Sequence, residues 1–153
     1  VGKLAIPESV LFKNKSLTDP EFKAIKRHVE IGYRIMLSSE DFVHIARAVL
    51  SHHEHWDGSG YPQNLSGKDI PWTARLVAIL DSFDAMTNIR SYRDALNVED
   101  ALNEIEKLAG SQFDPQLTDY FIEIVREECR ATGSLESVFE IDYLEEEIAD
   151  NGN

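Results

Sequence analysis

The sequence is short of cysteine, of basic residues and of long apolar runs. Its single cysteine, Cys129, can close no intrachain disulfide, and no CxxC pair is present for zinc or redox work. That usage fits a reducing compartment, and the expected location is cytoplasmic. Lysine and arginine number 15 against 28 acidic residues, a formal charge of −13. The broad positive footprint that bulk nucleic acid or an anionic membrane requires is therefore missing, although a local group of arginines can still hold a small phosphate ligand. No stretch approaches the roughly 18 apolar residues of a membrane span. The start, Val1-Gly2-Lys3-Leu4-Ala5-Ile6-Pro7, has neither an initiator methionine nor the apolar core of a signal peptide.

What is present suits one domain with a tail. The length of 153 residues is that of a single ordinary domain. Residues 134–153 hold seven acids (Glu136, Glu140, Asp142, Glu145, Glu146, Glu147 and Asp150) and no base. The expected division is a domain over 1–133 and an acidic extension over 134–153. Leu135, Val138, Phe139, Ile141, Leu144 and Ile148 leave that extension open to two readings, a terminal helical appendage or a partly ordered tail.

The patterning is helical almost throughout. Thr18-Asp19-Pro20 offers an N-cap residue and then a proline in the first turn, where its fixed φ helps and its missing N–H costs nothing. The helix predicted from there carries Phe22, Ile25, Val29, Tyr33 and Met36 at spacings of three and four. A second is predicted over Phe42, Ile45, Ala46, Val49 and Leu50, running into Ser51-His52-His53-Glu54. Between His55 and Pro71 the apolar period gives way to Gly58, Gly60, Pro62, Gly67 and Pro71. That makes a loop of about fifteen residues, a length usually functional or disordered in compact domains. From Trp72 to Met86 apolar residues occur almost all round, predicting a helix at the centre of the fold, with Asp81 and Asp84 interrupting it. Asn97 caps a helix through Ala101, Leu102, Ile105 and Leu108 that Gly110 ends, and Asp114-Pro115 opens another through Tyr120, Phe121, Ile124 and Val125, with Gly133 beyond it. No strand alternation of comparable length competes, so the fold class is all-α.

The chemistry-bearing residues are histidines and one aspartate. Of the five histidines, His28, His52 and His53 lie where helical faces turn toward a common region, a grouping that suggests a metal. Asp81, flanked by Leu80 and Phe83, is expected to be desolvated, which leaves it neutralised, paired with a cation, or ligating a metal. A hydrogen-bonded structural carboxylate is an equal alternative. Adjacent helical residues diverge by about 100°. His52 and His53 can therefore serve one compact site only if it is wide enough for two ions, or if the helix ends at the pair. His44 and His55 fall on no ligand pattern and are read as surface or packing residues.

The segment His52-His53-Glu54-His55-Trp56-Asp57-Gly58-Ser59-Gly60-Tyr61-Pro62 resembles the HHExxDGxGYP signature of HD-GYP domains, the bacterial branch of the HD metal-dependent phosphohydrolases that hydrolyses cyclic di-GMP. In the same order, Val1-Gly2-Lys3 resembles the end of an HD-(I/V)-GK motif, and Leu17 to Gly32 resembles LTxxEFxxxKxHxxxG. Ile70-Pro71 to Ala85 is similar to IPxxARIxxxxDxxDA, Arg90-Ser91-Tyr92-Arg93 to RxYR, and Gly110 to Pro115 to GxxFDP. The resemblance covers about residues 1–125.

It implies an all-α, HD-domain-like helical bundle in which His28, His52, His53 and Asp81 ligate divalent metal, two or more ions in the intact domain, with iron or manganese fitting best. Adjacent ions about 3.5–4 Å apart can hold a bridging hydroxide and clamp a phosphodiester for in-line attack. By the same resemblance Lys3 is a catalytic and phosphate-contacting residue, and Arg90 and Arg93 bind substrate phosphate. Tyr61 holds a guanine or ribose portion, and Asp84 supports the polar contacts around the ligand. Glu54 and Asp57 stabilise the turn or accept hydrogen bonds from metal-bound imidazoles. Gly58 and Gly60 are expected to supply backbone angles that fold the loop over the site.

The family's His-Asp dyad is expected immediately before Val1. The implied function is hydrolysis of cyclic di-GMP to pGpG and/or GMP in second-messenger signalling, with this chain a partial catalytic domain that is inactive alone and with an upstream regulatory domain as a partner. The alternative is a non-catalytic signalling module that binds cyclic di-GMP or a diguanylate cyclase.

Overall fold

The computed structural model describes residues 2–11, 13, 16–88 and 95–132. Among these residues seven α-helices follow in order: α1 Glu8–Leu11, α2 Asp19–Lys26, α3 His28–Leu37, α4 Ala46–Ser51, α5 Trp72–Thr87, α6 Val98–Lys107 and α7 Pro115–Thr132. Short 3-10 turns occupy Gly2–Ala5, Val43–Ile45 and Gly67–Asp69, and no strand occurs among the described residues. The acidic extension, Arg90 and Arg93 lie outside the described residues.

Caps begin the helices where the sequence places them. The Glu21 carboxylate reaches back to accept from the Thr18 N–H (2.8 Å) and hydroxyl (2.9 Å) at the head of α2. The Asn97 side chain accepts from the Asp100 N–H (2.9 Å), and Asp114 Oδ1 accepts from the N–H groups of Gln116 (2.9 Å) and Leu117 (3.3 Å). Each satisfies donors that a helix start leaves without an intrahelical partner.

The stripe from Phe22 to Met36 forms two helices rather than one. At the junction the ring Nδ1 of His28 lies 2.7 Å from the Ile25 carbonyl. The ring takes an acceptor that the ladder would use, and regular bonding resumes with the Ile31 N–H on the Arg27 carbonyl (3.1 Å). The second predicted helix is also shorter than its apolar spacing suggests. Phe42 and Ile45 are exposed, and α4 proper spans only Ala46–Ser51.

The main core joins Ala78, Ile79 and Phe83 of α5 to Ala101, Leu102 and Ile105 of α6 and Phe121, Ile122 and Val125 of α7. A smaller one joins Ala48, Ile70 and Ala74. The 3-10 turn at the start lies on α3, where a Cβ on Gly2 would collide with the His28 carbonyl. This close approach brings Lys3 beside the first histidine. One expectation is overturned. Helix α5 is not enclosed, for Trp72, Val77 and Leu80 are 55%, 40% and 37% exposed, and Asp81 and Asp84 are exposed with them. Its core face is supplied by Ala74, Ala78, Ile79 and Phe83, and no described element covers the other side.

Candidate metal centre

Helix ends create the site. At the C-cap of α4, His52 Nδ1 lies 2.8 Å from the Val49 carbonyl, and His28 Nδ1 lies 2.7 Å from the Ile25 carbonyl at the end of α2. Terminal carbonyls have no intrahelical donor, so a ring three residues on can supply one. A carbonyl only accepts, so in both rings Nδ1 carries the proton and Nε2 keeps a lone pair. The helix stops at Ser51, and His53 is therefore freed from helical geometry and turns to the same side as His52. One of the two conditions for adjacent histidines to share a site is thus met.

Ring centroids of His28 and His52 are 5.5 Å apart, those of His28 and His53 5.1 Å, and those of His52 and His53 4.1 Å. One nitrogen from each lies within 4.8 Å of the others. His28 Nε2 is buried and has no hydrogen-bond partner, an arrangement that costs free energy unless the lone pair is used. Burial holds all three imidazoles below their ordinary pKa, His53 down to about 3, with the Lys3 ammonium adding to the effect on each and neighbouring histidines adding to it at His28 and His53. Near neutral pH all three are unprotonated, the form that binds metal. An orphaned buried lone pair among neutral imidazoles fits a divalent cation.

The other expected residues divide. Lys3 is exposed, and its charge acts on all three imidazoles. The Tyr61 ring stacks on His53 with centroids 5.0 Å apart and 25° between planes, and burial followed by the Asp81 charge pushes its phenol up to about 12. The Asp81 charge also raises the proton affinity of His52, yet Asp81 stands outside the group of three nitrogens. Its expected desolvation is not found, because that side of α5 is open. Asp84 is exposed and accepts from Asn88 Nδ2 (2.8 Å).

Glu54 orients no imidazole. It is buried and accepts from the N–H groups of Gln63 (2.6 Å) and Leu65 (3.1 Å), pinning the chain just after Pro62. Asp57 closes a turn by accepting from the Ser59 N–H (2.8 Å). His55 bonds Ser59, and His44 is exposed. Gly58 has the left-handed φ expected, +83°. Gly60 serves differently, since a Cβ there would run into backbone atoms of His53, Glu54 and His55.

Two residues without an assigned role hold the loop from behind. Arg75 Nη1 meets Asp114 Oδ2 at 2.5 Å while its Nε donates to the Ile70 carbonyl (3.0 Å). The N–H groups of Trp56 and Asp57 donate to the carbonyls of Gln112 and Ser111. Both residues stand in family-like stretches, but a partner 39 positions away has no local signal.

The HD domain family model matches residues 1–117. The chain belongs to the HD domain family. Among relatives of this HD domain, a cyclic di-GMP phosphodiesterase of Thermotoga maritima is 40% identical over 129 residues, 83% of this chain and 35% of that protein. The cyclic di-GMP phosphodiesterase response regulator RpfG of Xanthomonas campestris is 43% identical over 121 residues, covering 78% and 32%. The 3'3'-cGAMP-specific phosphodiesterase 2 of Vibrio cholerae is 41% identical over 125 residues, covering 80% and 24%. The chain thus spans between 24% and 35% of the length of these relatives. A crystal structure of a cyclic GMP-AMP-specific phosphodiesterase from V. cholerae superposes with a TM-score of 0.55 at 21% identity, over 89% of this chain and 35% of that one, and shares the fold.

Proposed function

We propose that this chain forms part of the catalytic domain of a metal-dependent phosphodiesterase that hydrolyses cyclic di-GMP to pGpG and/or GMP in bacterial second-messenger signalling. The observation that carries the reading is the cluster of three neutral imidazoles with the orphaned Nε2 of His28. Relatives at 40% and 43% identity that are named for cyclic di-GMP support the substrate.

In this reading His28, His52, His53 and Asp81 hold iron or manganese, two or more ions in the intact domain. When bound, such ions supply Lewis acidity, which activates water and neutralises a phosphodiester. Lys3 stands beside the imidazoles with its ammonium in solvent, free to meet a non-bridging phosphate oxygen. Arg90 and Arg93 add planar guanidinium contacts to phosphate. Tyr61 walls the site for a base or ribose, and Asp84 stands on the open side of α5. Glu54 keeps the loop bearing Tyr61 against the histidines. No described helix is long and apolar enough to cross a membrane, and the single cysteine supports a cytoplasmic place of action.

The decisive experiment incubates the protein containing this domain anaerobically with iron or manganese and cyclic di-GMP and follows products by chromatography. Formation of pGpG or GMP is expected. Binding without turnover under either metal would return the domain to a signalling module that binds the dinucleotide or a diguanylate cyclase. The 3'3'-cGAMP-specific relative at 41% identity motivates including that dinucleotide as competitor. Preferential hydrolysis of it would overturn the substrate assignment and keep the chemistry.

A further inference from the structure

His28 and His52 each have a carbonyl that fixes the ring plane, whereas neither ring nitrogen of His53 is hydrogen-bonded among the described residues. What touches the His53 ring outside the cluster is Tyr61, stacked at 5.0 Å and 25°. Tyr61 is itself held. Its N–H donates to the His53 carbonyl (3.0 Å), and Glu54 bonds the chain at Gln63 and Leu65 just beyond it. On the ring, Lys26 Nζ lies 4.6 Å from the Tyr61 centroid and 4.7 Å from that of Phe22, one turn earlier on α2. This ammonium forms no ion pair with a described carboxylate.

We propose that Lys26 and Tyr61 are positioning residues that orient the imidazole of His53, doing through ring contacts what backbone carbonyls do for His28 and His52. A ligand imidazole whose plane is unfixed pays rotational entropy on binding metal, and partners that orient such rings are worth about 10–100-fold in metal affinity. A cation between two aromatic faces holds both by attraction to their quadrupoles without competing for a nitrogen lone pair. Phe22 and Lys26 are four residues apart on one helix face, so α2 presents the clamp ready-made. The proposal rests on the metal reading of the three histidines, and it predicts an effect whose sign is opposite to simple electrostatics. Removing a positive charge near a cation site should strengthen metal binding by Coulomb's law. Removing a positioning residue should weaken it.

The test uses the whole 153-residue chain. In the absence of metal, NMR should show the His53 ring protons displaced upfield by the Tyr61 ring current. They should move toward unperturbed positions in Lys26→Gln and Tyr61→Leu, and stay displaced in Lys26→Arg and Tyr61→Phe. In a Mn2+ titration followed by electron paramagnetic resonance, Lys26→Gln and Tyr61→Leu should bind about tenfold more weakly than wild type, with Lys26→Arg and Tyr61→Phe close to it. Unchanged His53 resonances in Lys26→Gln, or Mn2+ affinity equal to or above wild type in that variant, would overturn the proposal. The metal reading itself is overturned only if the protein extended upstream also takes up no Mn2+, and the NMR comparison then decides the positioning role by itself.

Discussion

At the scale of single residues, the site depends on positions where no side chain or no other side chain fits. Gly60 lies against three stretches of backbone that cannot move aside as a side-chain tip would. Gly60→Ala should therefore displace the loop, destabilise the domain by about 1–3 kcal/mol in urea unfolding, and weaken metal binding with it. Stability equal to wild type would show that the loop relaxes around a methyl group. Arg90 belongs to substrate rather than metal in the proposed site. Arg90→Ala should lower kcat/KM about ten- to a hundredfold through loss of a charge-assisted contact worth roughly 1.5–3 kcal/mol, with metal content unchanged. Arg90→Lys should recover only part of that if the contact is bidentate, and equal activity of wild type and Arg90→Ala would remove the residue from the site.

At the scale of elements, α2 carries an acid-sensitive start. Glu21 bonds Lys13 Nζ (2.8 and 2.6 Å) and the Thr18 N–H and hydroxyl, and these contacts, Lys13 foremost, lower its carboxyl from 4.5 to about 2. The folded pKa lies below the unfolded one. The contribution is therefore fully present above pH 4.5 and is lost as the pH falls toward 2. Wild type should lose stability over that window, and Glu21→Gln, already lacking the charge, should show a shallower acid limb in thermal melts. Parallel limbs would mean that the exposed contacts contribute nothing measurable. The same helix carries Phe22 and Lys26 on its face toward Tyr61, so weakening its start should also loosen the clamp on His53.

At the scale of the whole molecule, the Arg75–Asp114 pair ties α5 to the head of α7 across 39 positions, with both side chains largely buried at 13% and 5% exposure. Arg75→Ala leaves a buried carboxylate with one charge partner fewer. A destabilisation of about 3–5 kcal/mol is expected, read from denaturant midpoints, and a loss below about 1 kcal/mol would place the pair among surface contacts. Metal stoichiometry is also a property of the whole. Two octahedral ions offer about twelve coordination positions, against His28, His52, His53 and Asp81 here. The chain by itself is expected to hold one ion at most, weakly, and to leave cyclic di-GMP intact. Elemental analysis and a turnover assay, run beside a version extended upstream, check this. Two tightly held ions with turnover in the 153-residue chain would show that the ligand set is wrong.

The sequence by itself determined the helix starts at Thr18, Asn97 and Asp114, the loop after His55, and His28, His52 and His53 as one group. Those features are written in residues a few positions apart, where a cap, a period of three and four, or a dense motif can be read directly. Tertiary structure alone decided four matters. It parted the stripe at His28, because the ring claims the Ile25 carbonyl. It left Asp81 exposed, because burial of a helix face depends on what covers it, and no described element covers that side of α5. It set Lys26 over the ring of Tyr61, 35 positions away, and Tyr61 over that of His53, and it joined Arg75 to Asp114, since contacts between distant segments follow from how the chain packs and leave no periodic trace along it.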